Sequence, residues 1–197
     1  MAKSSKRVRS RRRQEQRSSS PRWQVWGIVA LVAVIAAVVI YAAYASFSNA
    51  GGIAGVQFLG SPARSHDPGP ITYATTPPVG GVHNPVWQNC GIYDQPIASE
   101  NAVHSLEHGA VWITYSPDLA ADEVEQLHNA VRGRSHVLLS PFEGLPSPVV
   151  ASAWGIQLQL DNAGDDRLPQ FISEYAQGPQ TPEPGATCAG GVGDPIG

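Results

Sequence analysis

The fold is decided by the stretch SENAVHSLEHGAVWITY, residues 99–115, in which a helical pattern passes directly into a strand pattern. From Ser99, the expected N-cap, to His108, polar residues fall on one flank and apolar residues on the other. Gly109 suits the left-handed position that ends a helix. Residues 111–115 are β-branched or aromatic and predict a strand. The stretch therefore indicates a domain of mixed helix and sheet.

Outside this stretch the chain continues to alternate helical and strand-like segments. A second helix ends at Gly133, and a last helix spans about residues 165–176. Residues 136–139 and 149–160 are strand-like, and glutamines alternate with apolar residues in the second of these, so we expect one buried face. We predict an α+β fold with a small mixed sheet and about three helices, preceded by one N-terminal transmembrane helix.

Charge and hydropathy separate the N-terminus from the rest of the chain. Residues 1–22 contain nine of the thirteen Lys and Arg residues and one acid, whereas the remainder is strongly acidic. Residues 23–47 carry no charge and have about the length that crosses a bilayer. We predict a basic cytoplasmic tail (1–22) and a transmembrane helix (23–47) that acts as a signal-anchor. The protein would cross the cell membrane once, with its C-terminal domain outside.

The N-terminal segment also suggests its partners. We expect residues 23–47 to contact the lipid bilayer and the basic tail to contact anionic lipid headgroups, with no nucleic-acid binding. The alternative to an anchor is cleavage after Ala45, because Ala43-Tyr44-Ala45 resembles a signal-peptidase site. The length of the apolar run favours the anchor. The sequence identifies no protein partner.

Residues 48–70 are rich in Gly, Ser, Ala and Pro and predict a tether, and residues 71–197 predict an extracytoplasmic domain with a Pro/Gly-rich C-terminal tail. The two cysteines, Cys90 and Cys188, both follow the apolar segment. In an oxidising compartment such a pair predicts one disulfide. The alternative is that Cys90 is a metal ligand near His83.

Three histidines offer ligands for a metal ion. His104 and His108 are four residues apart and share a helix face with Glu107, and His83 lies on a loop rich in Pro and Gly. We predict that His83, His104 and His108 bind zinc or copper(II), with Glu107 as the fourth ligand or as a base. Glu100 and water are alternatives for the fourth position.

The remaining candidate ligands add little to this set. Met1 is the only methionine, so a thioether copper(I) site is not expected. His66 falls in the predicted tether and His128 on the outer face of the second helix, so neither is predicted to be a ligand. His136 precedes a strand and stays undecided.

Read together, the His83 loop, the run Cys90-Gly91-Ile92-Tyr93 and the string from His104 to Gly109 resemble a known family. It is domain-of-unknown-function family 3105, found in actinobacterial membrane-anchored proteins. The resemblance covers about residues 70–190. It implies an anchored outer domain of uncharacterised activity and supplies no catalytic residues.

The spacing H-x-x-E-H is also that of inverted zinc proteases, in which two histidines bind zinc and the glutamate activates a water. In that interpretation Glu107 would be the catalytic base. Such enzymes need a third protein ligand, and Glu174 and Glu183 are weak candidates. Metal binding is therefore favoured over enzymatic activity, which the sequence leaves open. The alternative is a non-catalytic cell-envelope interaction or structural module, and a zinc-dependent hydrolase ranks below both.

Overall fold

The computed structural model describes residues 22–49 and 52–196, and the chain divides into two units, residues 1–51 and 52–197. In the first unit, helix α1 (Arg22–Asn49) covers the predicted apolar segment. No helix in the described part of the chain combines the length and apolar character needed to cross a membrane. The predicted basic tail, except Arg22, lies outside the described residues.

The second unit is built on one mixed sheet. Its elements are β1 (Gln57–Phe58), β2 (Gly91–Ile92), α2 (Ser99–Glu107), β3 (Val111–Tyr115), α3 (Ala121–Val131), β4 (Val137–Pro141), β5 (Val149–Ala153), β6 (Ile156–Leu160) and α4 (Arg167–Tyr175). The strand order is β1-β6-β5-β3-β4-β2. β4 runs parallel to β3 and β2, and the other neighbours are antiparallel. The predicted α+β class and mixed sheet are confirmed.

Helices cover both faces of the sheet. On one face, Ile113 of β3 shares a core with Leu127 of α3 and Phe171 of α4. On the other face, Trp112 shares a second core with Leu106 of α2. Side chains alternate along a strand, and β3 is buried over its whole length because both of its faces are covered. This central strand positions α2, the helix that carries His104 and Glu107 and ends at His108.

Helix α2 follows the predicted bounds closely. Ala98, and not the predicted Ser99, is the N-cap residue, and no side chain caps that end. His108 is the C-cap. Gly109 follows with φ 91°, a left-handed conformation that glycine adopts without a steric penalty. The helix therefore ends where the sequence predicts, and the chain turns directly into β3.

Two segments differ from the sequence-based expectation. Residues 149–160 form a hairpin of β5 and β6. Gln157 lies on the face of β6 that was expected to be open, but it is buried there and its side-chain amide donates to the Pro77 carbonyl. The predicted tether, residues 48–70, contributes β1, which pairs with β6. Residues 52–70 are thus part of the second unit.

Candidate metal centre

Four side chains with metal-binding chemistry converge on the polar side of α2. They are His66, His83, His104 and Glu107, here called the inner cluster. Each offers one ligand atom, and these atoms all lie within 4.8 Å of one another. His83, His104 and Glu107 are buried, whereas the side chain of His66 is 43% exposed. The cluster is therefore open to solvent on the side of His66.

Backbone pairing brings the two loop histidines together. His66 and His83 form a parallel β-bridge. The Asp67 amide donates to the His83 carbonyl at 2.8 Å, and the His83 amide donates to the Ser65 carbonyl at 3.1 Å. The imidazole rings then lie with centroids 4.6 Å apart. The segment before residue 70 is held against the His83 loop by the main chain, independently of any ligand.

The His83 loop continues along α2 and covers its polar face. The Asn84 amide donates to the Glu100 carbonyl at 3.2 Å. The Ser105 hydroxyl donates to the Gln88 carbonyl at 2.7 Å and accepts from the Gln88 amide at 3.0 Å. These bonds satisfy buried polar groups that would otherwise be costly. They explain why the polar flank of an amphipathic helix is buried here.

The buried imidazoles share one orientation. Nδ1 of His83 lies 2.7 Å from the Gly81 carbonyl oxygen, and Nδ1 of His104 lies 2.7 Å from that of Asn84. A carbonyl oxygen accepts, so each Nδ1 carries the hydrogen and donates. In the neutral ring, Nε2 then presents a lone pair towards the cluster. Metal-binding histidines are held in this way by a backbone acceptor.

Glu107 lies between a cation and an imidazole. Its Oε1 accepts from Nε of Arg64 at 2.9 Å, and its Oε2 lies 3.0 Å from Nε2 of His83. Oε2 is also 3.7 Å from Nε2 of His66. With His83 neutral, two acceptors would face each other at 3.0 Å. The contact therefore needs either a proton shared by the two atoms or a cation bound by both of them.

The surroundings of His104 favour its neutral form. Burial lowers the pKa of His104, and the nearby imidazoles of His108, His83 and His66 lower it further, against a bond to the Asn84 carbonyl that raises it. A neutral imidazole is the form that binds a metal. Trp87 packs against the ring, with centroids 5.8 Å apart, and adds an apolar wall.

The structure brings together three of the four predicted ligands and places the fourth elsewhere. His108 packs edge-to-face against His104, with centroids 4.6 Å apart, but its Nε2 faces Glu183 at 3.6 Å. The protease interpretation expects His104 and His108 to bind the same ion. They do not share the inner cluster, because His108 lies at the C-cap and turns towards the C-terminal tail.

The other side chains weighed as donors in the sequence also lie away from the inner cluster. Glu100 accepts from the Ile71 amide at 3.3 Å. Glu174 is exposed on α4, which packs on the opposite face of the sheet from α2. His128 pairs with Glu125 within α3. His136 contacts the Ala186 carbonyl at 3.0 Å.

The predicted disulfide between Cys90 and Cys188 is confirmed, with the Cα atoms 5.4 Å apart. Cys90 is therefore not available as the alternative metal ligand. The bond holds the C-terminal tail against α2, where the Glu183 amide donates to the Glu107 carbonyl at 3.1 Å. The ligands of the inner cluster are thus nitrogen and oxygen atoms.

Sequence reasoning missed His66 and Arg64. Both lie in a segment whose composition resembles a tether, and no periodicity marks them. One signal was present: Arg64 is one of four Lys or Arg residues after residue 22, and it lies two positions before a histidine.

The fold and the site define an α+β domain with helices on both faces of its sheet and a buried histidine–glutamate cluster that could hold a metal ion. The chain belongs to the DUF3105 family, described as protein of unknown function, which matches residues 65–190. Neither a curated protein nor a solved structure matches the chain. The family match includes all four members of the inner cluster and both cysteines.

Proposed function

We propose that the inner cluster binds a divalent transition metal, zinc or copper(II), through His66, His83, His104 and Glu107. The observation that carries this proposal is the contact of 3.0 Å between His83 Nε2 and Glu107 Oε2. A metal ion accepts a lone pair from each atom and turns an unfavourable contact into two bonds. The orientation of the His83 and His104 rings by backbone carbonyls supports the same role.

The distances suit an ion with tetrahedral coordination. Ligands of zinc lie about 2.0–2.1 Å from the metal, so neighbouring ligand atoms are roughly 3.3 Å apart. The two contacts of Glu107 Oε2, at 3.0 Å to His83 and 3.7 Å to His66, bracket that spacing. A bound ion would draw the widest pair together by at most roughly 1.5 Å. The side chain of His66 is partly exposed and has room to move towards such an ion.

The donor set indicates which metals are suitable. Three imidazoles and one carboxylate suit zinc and copper(II), whereas copper(I) prefers sulfur ligands. Four protein ligands fill a tetrahedral zinc site, as in structural centres. The proposed role is therefore to hold the ion, and Glu107 acts as a ligand in this role.

The test is metal content. Full-length protein is equilibrated with zinc or copper(II) and dialysed, and its metal content is measured by inductively coupled plasma mass spectrometry. We expect one tightly held ion that His83→Gln and His104→Gln both remove. His128→Gln is the matched control, because His128 also pairs with a glutamate but lies on α3. If the wild-type protein retains no more metal than His83→Gln, the contact with Glu107 is an imidazolium–carboxylate pair and the cluster is structural.

We also propose that residues 23–47 anchor the domain to the cell membrane as an uncleaved, single-pass segment, with the domain outside. The uncharged composition of this segment supports the proposal, and so does the disulfide, since disulfides persist in oxidising compartments. In fractionated cells, we expect detergent but not high salt to release the full-length protein from membranes. Release by salt alone would contradict the anchor.

A further inference from the structure

We infer that His108 and Glu183 form a second, weaker metal-binding position beside the inner cluster. Here the two residues are called the outer pair. Nε2 of His108 lies 3.6 Å from Oε2 of Glu183, close to the spacing of roughly 3.3 Å between two ligands of one zinc ion. The inference extends the proposed function, since the same class of ion would fill both positions.

His108 is prepared as a ligand in the same way as the histidines of the inner cluster. It is buried, and its Nδ1 donates to the Thr187 carbonyl at 2.7 Å. The Nε2 lone pair of the neutral ring therefore points at the Glu183 carboxylate. Trp87 packs on the ring, with centroids 4.9 Å apart, and limits its rotation.

The main chain positions the carboxylate of the pair. The Glu183 amide donates to the Glu107 carbonyl at 3.1 Å, so the backbone of an inner-cluster residue sets the place of the outer carboxylate. Thr187, the acceptor for His108, directly precedes the disulfide-bonded Cys188. The outer pair is thus assembled by the tail, although its two members are far apart in sequence.

Two features make this position weaker than the inner cluster. It offers two protein ligands, so water must complete the coordination. Nη2 of Arg64 also lies 3.7 Å from Oε1 of Glu183, and its positive charge opposes a second cation. The side chain of Glu183 is 45% exposed, which gives an ion a direct route from solvent.

The test is a competition titration of the full-length protein with Zn²⁺ and a chromophoric chelator. We expect two classes of site in the wild-type protein, one tight and one weaker by more than about tenfold. His108→Gln and Glu183→Gln should each abolish the weaker class and leave the tight class. Retention of the tight class shows that each variant is folded.

The matched control is the His128–Glu125 pair, whose Nδ1 and Oε2 atoms are 3.7 Å apart. His128→Gln and Glu125→Gln should leave both classes of zinc site unchanged. In this pair Nδ1 of His128 faces the carboxylate, whereas in the outer pair Nδ1 of His108 is held by a backbone carbonyl and Nε2 faces the carboxylate. A single class in the wild-type protein, or a weaker class that survives in His108→Gln, overturns the outer pair. A weaker class lost in His108→Gln without any tight class would support the outer pair and contradict the inner cluster.

Discussion

Arg64 and Glu107, 43 residues apart in the sequence, form an ion pair of 2.9 Å in which the carboxylate is buried and the guanidinium is half exposed. A buried carboxylate needs a cationic partner, because water cannot solvate it. Arg64 supplies that charge on one oxygen of Glu107. A metal in the inner cluster would supply it on the other.

We therefore expect the effect of Arg64→Ala to depend on metal. In chelator, the variant should lose about 1–2 kcal/mol of unfolding free energy, because one oxygen of a buried carboxylate loses its partner. With zinc present, the loss should become smaller. The measurement is urea unfolding in chelator and in zinc.

Arg132→Ala is the control for this prediction. Its bridge to Glu125, at 3.5 Å, joins two side chains that are both more than half exposed. Such a pair contributes about 0–1 kcal/mol and should not respond to zinc. An equal loss for Arg64→Ala in zinc and in chelator would contradict the link between this ion pair and the metal.

Gly109→Ala should lower the free energy of unfolding more than Gly133→Ala does. Each glycine follows a helix and has a positive φ, 91° at Gly109 and 75° at Gly133. A left-handed conformation costs an alanine roughly 1–2 kcal/mol. At Gly133 nothing lies near an added Cβ, but at Gly109 that atom would lie 2.6 Å from Nε2 of Gln177 and 2.8 Å from Cγ2 of Thr181.

We expect an additional loss of about 1–3 kcal/mol for Gly109→Ala, because the neighbouring tail must move. Thermal unfolding of the two variants measures the difference. Equal melting temperatures would show that the tail yields to the added methyl group without cost.

Replacing both cysteines by alanine should lower the unfolding free energy by about 3–4 kcal/mol. The bond joins residues 98 positions apart, and a closed loop of this length reduces the entropy of the unfolded chain. The tail should also loosen, so the weaker zinc class should be lost and the tight class kept. Denaturant unfolding in chelator and zinc titration measure the two effects; loss of the tight class instead would show that the tail holds the inner cluster.

Metal affinity should fall on acidification, because protons compete for the imidazoles. Because the pKa of His104 is lowered, protons compete with the metal for this imidazole only below about pH 6.5, the ordinary pKa of histidine. In metal-free protein the folded state binds fewer protons at His104 than the unfolded chain does. His104 thus contributes stability that is present above about pH 6.5 and lost as the pH falls through its folded pKa.

Zinc titrations at pH 7.5 and 5.5 would test the first effect, and metal-free unfolding of wild type and His104→Gln over the same range would test the second. We expect the wild-type protein to lose more stability on acidification than the variant. Identical zinc affinity at the two pH values would argue against imidazole ligands.

The sequence predicts the larger elements well because their signals are local. The apolar spacing in α2, α3 and α4 identifies each helix, and the glycines after α2 and α3 mark two of the ends. β1 and β2 escape detection, since two residues carry no periodicity. The burial of Gln157 also depends on a partner 80 residues away, the Pro77 carbonyl, which no local pattern can reveal.

The candidate site is predicted in part for the same reason. The spacing of His104, Glu107 and His108 indicates a shared helix face. It does not determine the direction of the His108 side chain, because His108 lies at the end of the helix. His108 turns away because its acceptor, the Thr187 carbonyl, lies 79 residues further along the chain. His66 joins the cluster because its main chain pairs with that of His83. The identity of a side chain does not predict such a pairing.

The Cys90–Cys188 bond has a consequence for the order of events in biogenesis. Residues 66 to 107 supply every inner-cluster ligand, so a growing chain contains them all well before Glu183 and Thr187 have been made. Oxidation of Cys90 and Cys188 then holds Glu183 and Thr187 beside His108. Loading of the outer position would thus depend on oxidation of the disulfide, whereas loading of the inner cluster would not.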